Sequence, residues 1–181
     1  MYFNPAKTKA AVVTCGGLCP GLNNVIRSLF LDLYHNYGVK EVMGIRYGFR
    51  GLNRSKGNPP IPLTLDLVED IHKEGGTILG TSRGPEDVRV MVEFLDYNDI
   101  DILFCIGGDG TQHAVHAIFE EVLRQDKKIA VIGIPKTIDN DIKLAWKTFG
   151  FSSAVEKAGE VIEGAHNEAN GASNGIGLVK L

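Results

Sequence analysis

Short, unbroken apolar runs alternate along this chain with longer stretches in which apolar residues recur at helical spacing. AAVVTC, residues 10–15, is such a run, and it stops at Gly16-Gly17, as a buried strand entering a loop does. Leu22, Val25, Ile26, Leu29, Phe30 and Leu33 then recur on one helical face and predict a helix over 21–36. KEVMGIR, 40–46, reads as a second strand, and the Gly-, Pro- and Asn-rich stretch 48–62 as loop. Asp66 and Glu69 form a capping-box pattern before a short helix closed by Gly75-Gly76. Residues 77–80 read as a brief strand, and 86–97 as a helix with Val88, Met91, Val92 and Leu95 inward.

The clearest unit follows. DILFCI (101–106) is a strand, GGDGT (107–111) a turn, Ala114, Val115, Ile118, Phe119 and Val122 mark a helix, and KIAVIGI (128–134) is the next strand. Strand, glycine turn, helix, strand implies parallel pairing with helices packed on the sheet. The expected fold is α/β: a Rossmann-like, three-layer parallel sheet with helices on both faces, plus the start of a second α/β domain. Ser153 and Glu156 suggest a capping box for a final helix over 154–169, and NGIGLVKL (174–181) reads as a strand. The chain stops inside that strand, so the sequence is expected to be part of something longer. An apolar terminal strand left exposed is also an association hazard.

Composition narrows the classes. A chain of 181 residues buries roughly 70% of its unfolded surface, so neither disulfide nor metal is needed to hold a core. Hydrophobic residues make up 44% and charged residues 23%, as in ordinary globular proteins. With a net charge of −3 and scattered Lys and Arg, nucleic acid and membrane surfaces are poor partners. No apolar run is long enough to span a membrane, and MYFNPAKTK carries no apolar signal core. Three cysteines, Cys15, Cys19 and Cys105, suit a reducing compartment, so a cytoplasmic location is expected.

The glycine turn carries the first chemistry. Between a strand and a helix N-terminus it aims backbone N–H groups and the positive end of a helix dipole at one point, which suits a phosphate. Asp109 would repel that phosphate unless a cation lay between them, and Mg²⁺ held by a carboxylate and phosphate oxygens resolves the conflict. TCGGLCPGLNN, 14–24, is a second glycine loop of the same kind. Cys15 and Cys19 lack a second metal-ligand pair and read as packing residues, and His113 and His116 as ordinary helix residues. Arg83, in GTSRGPED, either stabilises a transferring phosphoryl group or pairs on the surface with Glu86 or Asp87. Asp139, in KTIDND, is placed to take a proton from an attacking alcohol, with Thr137 and Asp141 fixing neighbouring hydroxyls; the competing account is an Asx-rich turn. Together the pieces point to phosphoryl transfer to an alcohol.

TCGGLCPGLN, GGTILGTSRGP, GGDGTQ, GIPKTIDND and FGFSSAVEKA, in that order, closely resemble 6-phosphofructokinases, over about residues 10–181. The resemblance implies transfer to the 1-hydroxyl of fructose 6-phosphate with Mg²⁺, a committed step of glycolysis. It implies a donor-binding domain over 1–145 and the beginning of a sugar-phosphate domain over 146–181. Gly17, Arg83, Gly84, Gly108, Asp109, Gly110 and Thr111 match the nucleotide-phosphate contacts, and Asp109 the magnesium ligand. Asp139 matches the base, with Thr137 and Asp141 near the sugar and Lys136 a point charge on the terminal phosphate. Family members that use pyrophosphate tend to carry Asp at the position of Gly110 and Lys at that of Lys136, whereas ATP users tend to carry glycine at both. The mixture here resembles the branch of ATP users whose sequences otherwise look like the pyrophosphate enzymes, so ATP is the expected donor and pyrophosphate the alternative.

In the family the strand ending LVKL continues into Met-Gly-Arg, which begins the sugar-phosphate pocket. Other contacts there come from a neighbouring subunit, so a homo-oligomer, dimer or tetramer, is expected of the complete protein and no activity of these 181 residues alone. The glycine turn also occurs in NAD kinases and diacylglycerol kinases, and a non-catalytic nucleotide-binding module could use it too. None of these accounts for KTIDND.

Overall fold

A computed structural model of the chain describes residues 3–56, 58–143 and 145–180. They form two compact units, one running to Lys136 and the other beginning at Thr137, ahead of the 145/146 boundary suggested above.

The first unit is built on one five-stranded sheet: β1 (Lys9–Thr14), β2 (Glu41–Ile45), β3 (Ile61–Pro62), β4 (Ile102–Gly107) and β5 (Ala130–Pro135), in the order β3-β2-β1-β4-β5. β2, β1, β4 and β5 are parallel, but β3 pairs antiparallel with β2, setting Met43 against Pro62 and Gly44 against Ile61. The sheet is therefore mixed. The short added strand hides in a Pro-rich stretch that reads as loop, and an edge is where a sheet tolerates proline.

Every residue of β1 after Lys9 is buried, because both faces of the strand are covered. On one face Ala11, Val13, Leu103 and Cys105 share a core with Met91, Val92 and Leu95 of α3 (Val88–Tyr97) and Ile118 and Val122 of α4 (Asp109–Arg124). The alternate positions Ile102 and Phe104 face a groove also lined by Leu29 of α1 (Leu22–Leu31), which buries Leu22, Ile26 and Phe30. Helices thus lie on both faces. The second face is open towards β5, where Ile132, paired with Phe104, is 41% exposed.

Several expected details differ. The helix predicted over 21–36 ends in one π turn, Asp32–Asn36. The stretch 77–80 is not a strand: its groups bond to the Thr14 hydroxyl, the Asn23 amide oxygen and Tyr47 N instead of joining a ladder. The short helix α2 (Leu65–Val68) is capped by Thr64, whose Oγ1 accepts from Leu67 N at 3.2 Å, and not by Asp66. Phe119 lies off the buried stripe of α4 and is 43% exposed.

The second unit contains α5 (Phe151–Asn170), which starts after Gly150 in the left-handed region at φ 87°, so Ser153 and Glu156 lie inside the helix and not at its cap. After it, residues 175–180 run without a strand partner among the described residues. The expected strand 174–181 therefore fails for want of a ladder to bond its backbone groups; Leu181 lies outside the described residues. The chain's one tryptophan, Trp146, is 95% exposed.

This core placement is testable. Leu103→Ala, at a position with 0% exposure, is expected to cost about 2–5 kcal/mol, and Ile132→Ala about 1 kcal/mol or less. Equal shifts of the two urea midpoints would contradict it.

Candidate active site

Parallel strands bring their carboxyl ends to one edge of the sheet, and the chain leaves β1 and β4 in opposite directions, which opens a crevice between them. A cavity of about 720 Å³ lies there. Gly17, Arg83, Gly84, Gly108, Asp109, Gly110, Thr111 and Lys136 all line it, so every first-unit residue that the resemblance matched to phosphate contacts is gathered there.

The turn after β4 enters α4 through Gly108, whose carbonyl accepts from Thr111 N at 2.9 Å and Gln112 N at 3.0 Å. The N–H groups of Asp109 and Gly110 are left without intrahelical acceptors, at the positive end of the helix. A Cβ built on Gly110 would meet open space, so this stretch of backbone is bare to the cavity. The Asp109 side chain is 94% exposed and lies 3.7 Å from His113 Nδ1. No cluster of three His, Cys, Asp or Glu able to hold a metal occurs among the described residues. A single carboxylate beside a phosphate cradle does suit Mg²⁺, which takes its other ligands from phosphate and water. His116 lies 3.4 Å from Glu120 on the exposed face of α4, away from any such cluster.

Arg83 is held by a loop docked on the end of β1. Gly16 N donates to Ser82 O (3.2 Å), Thr81 Oγ1 to Gly16 O (2.8 Å) and Thr14 Oγ1 to Gly80 O (2.8 Å). Gly84, at φ 109°, turns the chain in a conformation that favours glycine. The surface-pairing account of Arg83 loses its partners here. Glu86 is taken by Lys56 (2.5 Å) and Asn53 (3.1 Å), and Asp87 caps α3 by accepting from Arg89 N. Arg83 has no ion pair among the described residues, and its Nη2 lies 3.5 Å from where a Cβ on Gly17 would stand.

Lys136 is only 8% exposed, and its N–H donates to Gly107 O at 2.9 Å. No carboxylate pairs with its ammonium among the described residues, although a charge so placed calls for an anion. Burial pushes the Cys15 thiol up to about 12, against the pull of a backbone N–H and the Lys136 charge. Cys19 is raised too, again chiefly by burial. Both are neutral packing groups, not nucleophiles.

Thr137, Asp139 and Asp141 fall in the second unit. Thr137 Oγ1 donates to Asp141 Oδ1 at 2.6 Å and accepts from Asp139 N at 3.1 Å. Asn140, at φ 54°, accepts from Thr148 N at 2.8 Å, and Thr148 Oγ1 donates to Thr137 O at 3.1 Å. The stretch is indeed an Asx-rich turn, and it leaves the Asp139 carboxylate exposed and without a hydrogen bond among the described residues. Thr14, Thr81 and Gln112 were not singled out from the sequence. Each acts by bonding a backbone carbonyl, which no hydrophobic pattern signals.

The sequence model of the phosphofructokinase family matches residues 9–181. An ATP-dependent 6-phosphofructokinase of Entamoeba histolytica is 51% identical over 181 residues, covering 100% of this chain and 41% of the relative. One from Borreliella burgdorferi is also 51% identical over the whole chain, covering 40% of the relative. The chain thus spans about two fifths of the length of these curated relatives. A crystal structure of Pichia pastoris phosphofructokinase in the T-state superposes with a TM-score of 0.77 at 27% identity, covering 88% of this chain and 18% of that one.

Glu86 gives the cavity wall a pH dependence. Burial pushes its carboxyl up, but bonds from Lys56 and Asn53 and the charges of Lys56 and Arg50 outweigh burial and hold it below the usual glutamate value. A carboxyl lowered on folding stabilises the fold above its unfolded pKa, near 4.5, and that contribution fades as pH falls through the folded value. Glu86→Gln is expected to lower the melting temperature at pH 7, and its gap from the unaltered protein to narrow below pH 4.5. A gap constant from pH 7 to pH 3 would refute the ion-pair account.

Proposed function

The chain belongs to the phosphofructokinase family, and we propose that it supplies the donor site and the catalytic base of a 6-phosphofructokinase. The protein transfers the terminal phosphoryl group of ATP to the 1-hydroxyl of fructose 6-phosphate, giving fructose 1,6-bisphosphate and ADP. The observation that carries this reading is the cavity at the carboxyl edge of the sheet. There the Lys136 ammonium and Arg83 guanidinium, without an ion pair among the described residues, line the same cavity as a glycine turn whose N–H groups at Asp109 and Gly110 have no intrahelical acceptor. This is an anion site built for more than one phosphate.

ATP is favoured over pyrophosphate by what adjoins the phosphate end. The cavity continues past the glycines to Val88, Met91, Ala114 and Ala117, an apolar floor that a nucleoside can cover and pyrophosphate cannot use. Bare Gly110 leaves the way open, where an aspartate would obstruct and repel an α-phosphate. Lys136, the feature shared with pyrophosphate users, serves equally as a charge on the terminal phosphate.

Asp109 is the residue to hold Mg²⁺, which when bound neutralises charge on the phosphate oxygens. Asp139 accepts the proton of the sugar hydroxyl as that oxygen bonds to phosphorus and the bridge to ADP breaks. Thr137 and Asp141, already bonded to each other, hold the turn that presents Asp139. Lys136 and Arg83 counter the negative charge of the moving group. The NAD-kinase and diacylglycerol-kinase alternatives fall away with the family assignment, and a sensing module would have no use for an uncommitted carboxylate at Asp139.

Steady-state rates of the full-length protein with fructose 6-phosphate and either donor test the reading. ATP is expected to support turnover, and activity with pyrophosphate alone would reverse the donor assignment. Gly110→Asp should lower kcat/KM for ATP by about 100-fold or more. Asp139→Asn should keep nucleotide affinity and lower kcat by about 100-fold or more; an unchanged kcat would exclude Asp139 as the base.

A further inference from the structure

We infer that Gln112 is a positioning residue for the phosphoryl donor, acting through the carbonyl of Gly107 and allowed to do so by the missing side chain of Gly133. The inference rests on the donor-site reading above but concerns a residue that does not line the cavity. Gly107 ends β4, and its carbonyl accepts two hydrogen bonds, from Lys136 N at 2.9 Å and from Gln112 Nε2 at 2.9 Å. One oxygen therefore ties together the first turn of α4, the end of β4 and the residue that follows β5.

The amide reaches that oxygen by lying across β5. Gln112 Oε1 occupies the place a Cβ on Gly133 would need, and the three atoms nearest to that place, Oε1, Cδ and Nε2, all belong to Gln112. A side chain at 133 would have to displace Gln112 Oε1, and with it the amide whose Nε2 bonds the Gly107 carbonyl. Two donor-binding features hang on the same knot: the bare N–H groups at the start of α4, and the backbone that carries the Lys136 ammonium. Losing the amide frees the turn and the end of β5 to shift against each other. That loosens the spacing between phosphate cradle and phosphate charge without removing a group that touches the donor.

The test uses the full-length protein with both substrates varied. Gln112→Leu removes the bond, and Gln112→Glu keeps the shape but has no N–H to donate. Both are expected to raise the KM for the donor about tenfold while leaving the KM for the sugar phosphate within about twofold. Gly133→Ala should match them in the otherwise unaltered protein, yet add less than about twofold in a Gln112→Ala background, where the amide is gone. An unchanged donor KM in Gln112→Glu overturns the inference. So does an equal penalty for Gly133→Ala in both backgrounds, or a parallel fall in kcat and melting temperature with both KM values disturbed. If the unaltered protein proves to have no sugar-phosphate kinase activity, the functional reading fails by itself. Calorimetric titration with ADP then decides the present point: affinity about tenfold weaker in Gln112→Glu supports it, and equal affinity overturns it.

Discussion

Parallel pairing of β2, β1, β4 and β5 puts four carboxyl-terminal strand ends on one edge, and the candidate site descends from that constraint. The interior of β1, Ala10–Val13, and Ile102–Cys105 of β4 offer no ionisable side chain but a buried thiol. Chemistry has to enter where the backbone leaves the sheet, in the glycine turns after β1 and β4 and at Lys136 after β5. The loop that carries Arg83 is not part of the sheet at all, and it is brought to this edge by hydroxyls that grip carbonyls.

Charge then arranges what the sheet has gathered. Lys136 and Arg83 lack carboxylate partners among the described residues, whereas Glu86 and Asp87, close to Arg83 in the chain, are each committed to a neighbour. The two cations lining the cavity are thus left without a carboxylate among the described residues, while Glu86, in the same wall, is already paired. Asp109, 3.7 Å from His113, and Asp139, with no side-chain bond among the described residues, are the carboxylates to which the proposed reaction assigns a divalent ion and a proton.

Legibility in the sequence followed burial. AAVVTC and DILFCI announce β1 and β4 because a strand covered on both faces is apolar throughout, and KIAVIGI announces β5 by the same apolar run although its outer face is partly open. The turns are legible because Gly107 and Gly108 leave no other option between a strand and a helix. Features that depend on a partner far along the chain are not legible. Ile61–Pro62 becomes a strand only because β2 is beside it, and 175–180 is not one because no strand pairs with it among the described residues. The caps misled for a related reason: Thr64 and Gly150 outcompete the nearby Asp66 and Ser153 through local backbone geometry that residue type alone does not show. Within the site, residues expected to touch substrate stood out by motif, whereas Thr14 and Gln112, which grip the backbone, look like ordinary polar neighbours.

Trp146 has an experimental consequence. The lone indole sits in the second unit, almost entirely in water, and the sheet that forms the core of the first unit has none. Its emission should already be close to that of an unfolded chain, so fluorescence would pass over the melting of the sheet in silence. The far-ultraviolet dichroism of the strands and helices is the signal that follows it.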